Sequence, residues 1–365
     1  LNHLAAHLAK LGHAVTIVCR RHEAPPHPEV HFVVLRSLAL GRAHRMVTFA
    51  QAIDRHVTRT DYDLVVSLGK TWTHDVIRLG GGCYQTFLDH TRQGARAGSI
   101  QRLSPGWLRH RCALALEARG LAHGAYIRVI TNSTMVKRDV MAQYNVPDDL
   151  ITVVPNGVDL NRFHPRHRTS GGARLRRQLG FDAHHIVWVF VGTGYQRKGL
   201  DRLLKVFPTL RRQCAAPRLM VVGYDSGLHR WQHQVERLGV AEYVRFLGGR
   251  RDPEICYGAG DLYVLPTRYD PFANATLEAL ASGLPVITTT SNGGCEVLEP
   301  GVHGAVVEDT EDQDALLQAL LLWSDRDRLQ HGAEAARIQA ERYGIGLEME
   351  ASTTVLMEAA AARRG

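Results

Sequence analysis

Residues 186–212 read Ile186-Val-Trp-Val-Phe-Val191, then Gly192-Thr-Gly-Tyr-Gln-Arg-Lys-Gly199, then Leu200-Asp-Arg-Leu-Leu-Lys-Val-Phe-Pro-Thr-Leu-Arg-Arg212. The first six form an unbroken apolar run of β-branched and aromatic residues, the pattern of a strand buried on both faces. A glycine-rich loop carrying two cations follows, and the last block reads as a helix. Strand, glycine loop and helix open a βαβ unit, so a parallel sheet with helices on its faces is expected.

Working outward, the downstream sequence repeats the programme. Strands are predicted at 219–222, 244–247, 262–265 and 286–289, with helices between them and closing helices at 313–323, 326–343 and 347–362. Upstream, strands are predicted at 14–19, 31–35, 64–68, 127–131 and 151–154, and helices at 43–57, 107–122 and from Ser133. A Pro-rich loop at 24–28 and an irregular, basic stretch at 80–105 interrupt the pattern. Pro155-Asn-Gly-Val-Asp159 is turn chemistry and predicts a hinge. The fold class expected is α/β, with two doubly wound Rossmann-like domains at residues 1–155 and 156–344 and a last helix at about 345–362 packing back on the first. Leu1, Leu4, Ala5, Leu8 and Leu11 recur at helical spacing before Gly12. A parallel sheet normally feeds such a helix from an earlier strand, so a first strand and its turn are expected ahead of it and are absent from these residues.

The 365 residues, 45% hydrophobic and 22% charged, exclude wholesale disorder and a small stapled module. Six cysteines without a C-x-x-C pair suggest neither a zinc knuckle nor a disulfide framework, and a reducing, cytoplasmic setting is expected. No apolar run approaches the roughly 20 residues of a membrane span. The net charge of +8 is unevenly placed: residues 1–150 hold 19 Lys+Arg against 11 Asp+Glu, whereas residues 151–365 hold 25 against 25. No reader motif accompanies the excess, so nucleic acid is not an expected partner.

The chemistry-bearing residues lie at loops after strands, where open α/β sheets bind ligands. Gly192 and Gly194 free backbone N–H groups beside a helix N-terminus, and Arg197 and Lys198 add two positive charges, a setting for a diphosphate. The same glycines also suit a simple tight turn, with Arg197 and Lys198 as a solvated pair. Asp270-Pro-Phe-Ala-Asn-Ala-Thr-Leu-Glu278 places two carboxylates eight positions apart across a loop and a helix start. Either acid alone reads equally as compensation of the helix dipole, and Asn274 and Thr276 as caps. Asp61-Tyr-Asp63 and Asp325-Arg-Asp327 match a D-x-D pattern, but the first precedes its strand and the second begins a helix, so no metal site is expected.

The strings Val191-Gly-x-Gly-x-x-Arg-Lys-Gly199, Pro155-Asn-Gly-Val-Asp159, Asp270-x7-Glu278 followed by Ala-Leu-Ala-Ser-Gly-Leu-Pro-Val286, and Ser291-Asn-Gly-Gly294 together resemble the retaining glycosyltransferase family 4. The resemblance covers nearly the whole chain, and its most similar members are the lipopolysaccharide core α-glucosyltransferases. It implies a GT-B fold with two domains facing across a cleft. It also implies metal-independent transfer of a hexose, glucose from UDP-glucose, to a glycolipid or other glycan acceptor, with no cofactor. Arg197 and Lys198 would neutralise the leaving diphosphate, and Asp270 would hold donor-sugar hydroxyls. Glu278 would hold the ribose, Arg250 would lie near the base, and backbone N–H groups of Phe272, Ala273, Asn274 and Ala275 would complete the phosphate site. The expected location is cytoplasmic and peripheral on the inner face of the bacterial inner membrane, an anionic surface.

Two departures qualify this. The family usually has Glu where Asp270 stands, and its glycine pair after a first strand is missing. Related core enzymes carry an acid just before the Cys-Tyr pair, where this chain has Gly81 or Gly82; Asp89 and His90 are the substitutes, or an ordinary loop pair. Alternative expectations are a glycosyltransferase of another cell-surface polysaccharide, an inactive fragment, or a basic nucleic-acid-binding protein.

Overall fold

The computed structural model describes residues 1–22, 25–37, 40–93, 106–214 and 216–364. The chain divides into two compact units, one from Leu1 to Pro155 together with the residues from Gly346 onward, the other from Asn156 to Ile345.

The first unit contains α1 (Asn2–Lys10), β1 (Val15–Cys19), β2 (Val30–Val34), α2 (Arg42–His56), β3 (Val66–Ser67), β4 (Val76–Leu79), α3 (Tyr84–Gln93), α4 (Trp107–Gly120), β5 (Arg128–Thr131), α5 (Thr134–Tyr144) and β6 (Ile151–Val153). All strands pair in parallel, but in two sheets: β1 with β2, and β3-β4-β5-β6. Strand β4 has no counterpart among the sequence expectations. Its Arg78 breaks the apolar run, and its partners, Glu348 at 2.5 Å and Ser352 Oγ at 2.8 Å, are about 270 positions away. Asp75, buried ahead of β4, accepts from Arg59 Nε at 2.8 Å, Arg363 at 2.8 Å and the Val65 amide at 2.8 Å. The stretch expected to be irregular from residue 80 instead winds into α3; positions 94–105 of it, like Ala24 of the Pro-rich loop, lie outside the described residues.

The second unit contains α6 (Gly171–Gln178), β7 (Ile186–Val191), α7 (Leu200–Gln213), β8 (Pro217–Val222), α8 (Leu228–Arg237), β9 (Val244–Gly248), α9 (Pro253–Ala259), β10 (Leu262–Leu265), α10 (Asn274–Ala281), β11 (Val286–Thr289), β12 (Gly304–Val307), α11 (Gln313–Leu322) and α12 (Arg326–Glu341). Its sheet is wholly parallel in the order β12-β11-β10-β7-β8-β9. Strand β7 is central, and its run from Ile186 to Phe190 is buried on both faces, as its sequence demands. The core joins these strands to Leu203, Leu204, Phe207 and Leu210 of α7 and to Leu277, Leu280 and Ala281 of α10. Helix α13 (Ile345–Arg364) then returns to the first unit, where Val355, Leu356 and Ala359 pack with Val76, Ile130 and Val154.

Candidate functional site

In the second unit the loops after β7, β9 and β10 all leave from the carboxyl ends of parallel strands, and the chain order reverses between β7 and β10, a topological switch point. The 192–199 loop is shaped by two glycines. A Cβ on Gly192 would meet the Lys198 stem at 3.0–3.4 Å, so its absence lets that side chain fold back along the loop. Gly199 caps α7 at φ +82°, and a Cβ there would lie 1.8 Å from the Pro266 carbonyl oxygen. Between them Tyr195 anchors the loop: its amide donates to Asp225 at 2.8 Å and its hydroxyl to the Gly223 carbonyl at 2.9 Å. Burial pushes the Tyr195 phenol up to about 12.

That anchoring brings Arg197, Lys198 and Asp270 together. Lys198 Nζ and Arg197 Nη1, the latter at 3.1 Å, both donate to Oδ2 of Asp270, and Arg197 also donates to the Tyr269 carbonyl at 3.0 Å. Lys198 and Asp270 are both buried. Burial pulls the Lys198 pKa down, and the Asp270 carboxylate opposes that effect. Asp270 itself is clamped through its backbone, accepting from Gly293 N at 2.8 Å and donating to Ser291 O at 2.9 Å. Three groups therefore carry a net charge of +1 at the mouth of a glycine loop.

The start of α10 corrects the expectation that Asn274 or Thr276 caps it. The N-cap residue is Ala273, and its amide is held by Asn292 Oδ1 at 3.1 Å. The same oxygen accepts from Gly294 N at 3.0 Å, while Asn292 Nδ2 donates to Thr276 and Thr288 at 3.0 and 3.1 Å. Asn292 thus ties α10, the end of β11 and the Asp270 segment into one unit, a role the Ser291-Asn-Gly-Gly294 string signals only as a motif. Asn274 is exposed at the first helical position and accepts from Asn156 of the hinge at 2.7 Å. Phe272 and Ala273 are buried, and Ala275 is half-buried.

Glu278 lies one turn along α10, where Tyr257 of α9 donates to it at 2.9 Å. Burial raises the Glu278 pKa, and the Tyr257 hydrogen bond counters part of that rise. Arg250 stands exposed after β9, forked on Asp252 at 3.0 and 2.8 Å, and is not drawn into the Arg197–Lys198–Asp270 cluster. Asp89 and His90 lie in the first unit within α3 and not in a loop; Asp89 accepts from Gln85 one turn earlier at 2.9 and 3.1 Å.

Sequence reasoning missed Glu117. Buried in α4, it accepts from the Tyr84 amide at 2.7 Å and the Tyr144 hydroxyl at 2.8 Å, with Lys70 at 3.4 Å. Its signal was present, since Glu117 shares the buried face of α4 with Ala113, Leu116 and Gly120 at helical spacing. Asp325, of the second D-x-D pair, caps α12 by accepting from Arg328 N at 2.9 Å. Among the described residues, Asp182, His184 and His185 bring metal-ligating atoms within 4.8 Å of one another. They precede β7, at the end of that strand opposite the glycine loop, and His185 Nδ1 already accepts from the Asp182 amide at 2.7 Å.

With this geometry in place, the comparisons are specific. Residues 173–339 match the family described as Glycosyl transferases group 1, and residues 1–162 match Glycosyltransferase Family 4. Each half of the chain thus resembles a glycosyltransferase family, and its fold is GT-B. Its sequence is 32% identical over 254 residues to D-inositol 3-phosphate glycosyltransferase of Nocardia farcinica, covering 65% of this chain and 55% of that protein. The chain thus spans about half the length of the curated relatives it matches. Among solved structures it is similar to WaaG, a glycosyltransferase involved in lipopolysaccharide biosynthesis, with a TM-score of 0.80 at 22% identity over 97% of this chain and 94% of WaaG. It is also similar to HepE of Anabaena solved with UDP and glucose, with a TM-score of 0.69 at 20% identity over 93% and 91% of the two chains.

Proposed function

We propose that this glycosyltransferase moves a hexose, glucose from UDP-glucose, to a hydroxyl of a glycolipid or lipopolysaccharide-core acceptor, with retention at the anomeric carbon and without a metal ion. The observation that carries the reading is the Arg197–Lys198–Asp270 cluster at the switch point of the second unit. Two cations share one carboxylate oxygen there, a closed arrangement that a diphosphate would open. The phosphate oxygens take over Lys198 and Arg197, and the released Asp270 carboxylate becomes an acceptor for donor-sugar hydroxyls. As the bond from the anomeric carbon to the diphosphate breaks, negative charge grows on the departing phosphate. Cations already fixed at that point stabilise the transition state more than the ground state.

The remaining residues fit around this step. Glu278, beneath the start of α10, accepts from the ribose hydroxyls, and the amides of Phe272, Asn274 and Ala275 face the phosphates at the helix N-terminus; that of Ala273, expected to join them, is instead held by Asn292. Arg250 lies at the base end. The likeness to HepE, solved with UDP and glucose, supports the donor, and the likeness to WaaG supports the acceptor class. The excess of Lys and Arg in residues 1–150 suits a phosphorylated acceptor at an anionic membrane surface, on the cytoplasmic side. No helix among the described residues is long and apolar enough to cross a membrane.

Calorimetric titration with a panel of nucleotide sugars tests the donor. UDP-glucose is expected to bind most tightly, and Arg197→Ala to weaken it at least about tenfold, the loss of one charge-assisted hydrogen bond. Equal binding by the variant would remove the assigned role. Transfer measured in excess chelator tests the metal-free claim, which complete loss of activity would overturn.

A further inference from the structure

Two arginine–carboxylate pairs lie behind the glycine loop of the second unit and take no part in the contacts of the cluster itself. Arg268, in the loop after β10, forks on Asp201 in the first turn of α7, with Nη1 to Oδ1 at 2.7 Å and Nη2 to Oδ2 at 2.8 Å. Both side chains are nearly buried, at 12% and 11% exposed. Beside them Arg202 of α7 donates to the Pro266 carbonyl at 3.3 Å and pairs with Glu311, between β12 and α11. Two cations and two carboxylates leave this group neutral, so it offers no net attraction to an anion. Its attachments show instead what it holds in place.

The backbone at Arg197 is gripped by Thr267 and Arg268. The Gln196 carbonyl accepts from Arg268 Nη1 at 2.6 Å, and the Arg197 carbonyl accepts from the Arg268 amide at 2.9 Å and from Thr267 Oγ1 at 3.0 Å. These carbonyls belong to the two peptide groups that flank the Arg197 Cα, so both are fixed in orientation. The Asp201 fork sets the plane of the Arg268 guanidinium, and Nη1 reaches Gln196 from that plane. Thr267 is in turn tied to β11, because Thr289 Oγ1 donates to its carbonyl at 2.7 Å. The segment then runs on to Tyr269 and Asp270, which receive the Arg197 guanidinium at 3.0 and 3.1 Å. Arg197 is therefore held at its root by residues 267 and 268 and at its tip by residues 269 and 270.

We propose that Asp201 and Arg268 are positioning residues for Arg197, fixing the root of its side chain so that the guanidinium is already aimed when a donor diphosphate arrives. The inference rests on the role proposed above for Arg197 toward that diphosphate. A long side chain ordered in advance loses less conformational freedom on binding, so the pair strengthens the contact without making one of its own. Asp201 and Arg268 act through Arg197, and their effect is confined to the phosphate part of the donor. Lysine cannot replace Arg268, because a single ammonium cannot fork on Asp201 and reach the Gln196 carbonyl in one plane.

Calorimetric titration with UDP and with uridine separates this role from general support of the fold. Arg268→Met is expected to weaken UDP about tenfold, close to the effect of Arg197→Ala, and to leave uridine within about twofold. In an Arg197→Ala background the same substitution should cost UDP less than about twofold, since nothing is left to position. Arg268→Lys should behave like Arg268→Met, whereas Asp201→Asn, which keeps an oxygen for Nη1, should retain most of the affinity. Thr267→Val removes only a hydroxyl bond to the Arg197 carbonyl and should weaken UDP about two- to fivefold; it decides the matter by the same two titrations if Arg268→Met does not fold. Equal losses for UDP and uridine, additive losses in the double variant, or unchanged UDP affinity would each overturn the proposal. UDP binding weakened in Arg197→Ala but kept in Arg268→Met overturns this inference alone. A wild type that binds no UDP, or an Arg197→Ala variant that binds it as well as wild type, overturns the proposed function together with this inference.

Discussion

Replacing Lys198 by Met separates what the ammonium does for the fold from what it does for the reaction. Lys198 is 8% exposed and Asp270 7%, so the substitution leaves a buried carboxylate with Arg197 as its remaining cation. Removing one partner of a buried pair costs about 3–5 kcal/mol, and the retained Arg197 bond places the expectation near the lower figure. At about 2–4 °C per kcal/mol for a unit of this size, the melting temperature should fall by about 6–12 °C. The charge on the leaving diphosphate loses one fixed partner, so kcat should drop by about 100- to 1,000-fold. Lys198→Met/Asp270→Asn removes the stranded charge and should recover at least about 1 kcal/mol of stability while kcat stays low. Urea unfolding and single-turnover transfer measure the two effects separately. The reasoning fails if the double variant is no more stable than the single one to within about 0.5 kcal/mol, or if Lys198→Met keeps more than about a tenth of wild-type kcat.

Three further outcomes are expected. Because burial raises the Glu278 pKa, its ionised form opposes folding, a penalty absent below the unfolded pKa and growing as pH rises through the folded one. Glu278→Gln should therefore match wild type in acid and melt higher near neutrality, while donor binding weakens about 10- to 100-fold; identical pH profiles would refute this. Gly199→Ala forces a Cβ onto the Pro266 carbonyl and should cost about 3 kcal/mol or more, whereas Gly194→Ala, at φ +76° with open space around it, should cost about 1 kcal/mol in the same urea titration. Asn292→Ala strands the Ala273 and Gly294 amides and removes the donor to the Thr276 and Thr288 hydroxyls, the latter keeping its bond to the Leu265 carbonyl. It should destabilise by about 2–3 kcal/mol and misplace Asp270, lowering donor affinity even where the protein remains folded.

The second unit was legible because its information is local. Ile186–Val191, Leu262–Leu265 and Val286–Thr289 are short runs rich in β-branched and aromatic residues between turn signals, and their bounds in the structure are those read from the residues. The first unit hid its central strand β4 because the interactions that let Arg78 and Asp75 sit in a sheet come from α13, far away in the chain. Helix α3 was hidden for a related reason: its first amide is held by Glu117 of α4, a tertiary contact that no local pattern announces.

The same distinction runs through the candidate site. Residue types and their order singled out Arg197, Lys198, Asp270 and Glu278 as candidates, since charge beside a glycine turn at a strand end is itself a local pattern, and the structure brings the first three together. The sharing of one Asp270 oxygen by both cations was not legible, because it depends on Gly192 having no side chain and on Asn292 fixing the segment opposite. That sharing has a chemical consequence. A site with two unopposed buried cations would carry a desolvation penalty, whereas here Asp270 neutralises one charge. In the proposed function, a diphosphate that took over both cations would release the carboxylate toward the donor sugar, so that binding of the diphosphate and presentation of the sugar acceptor group would become one event.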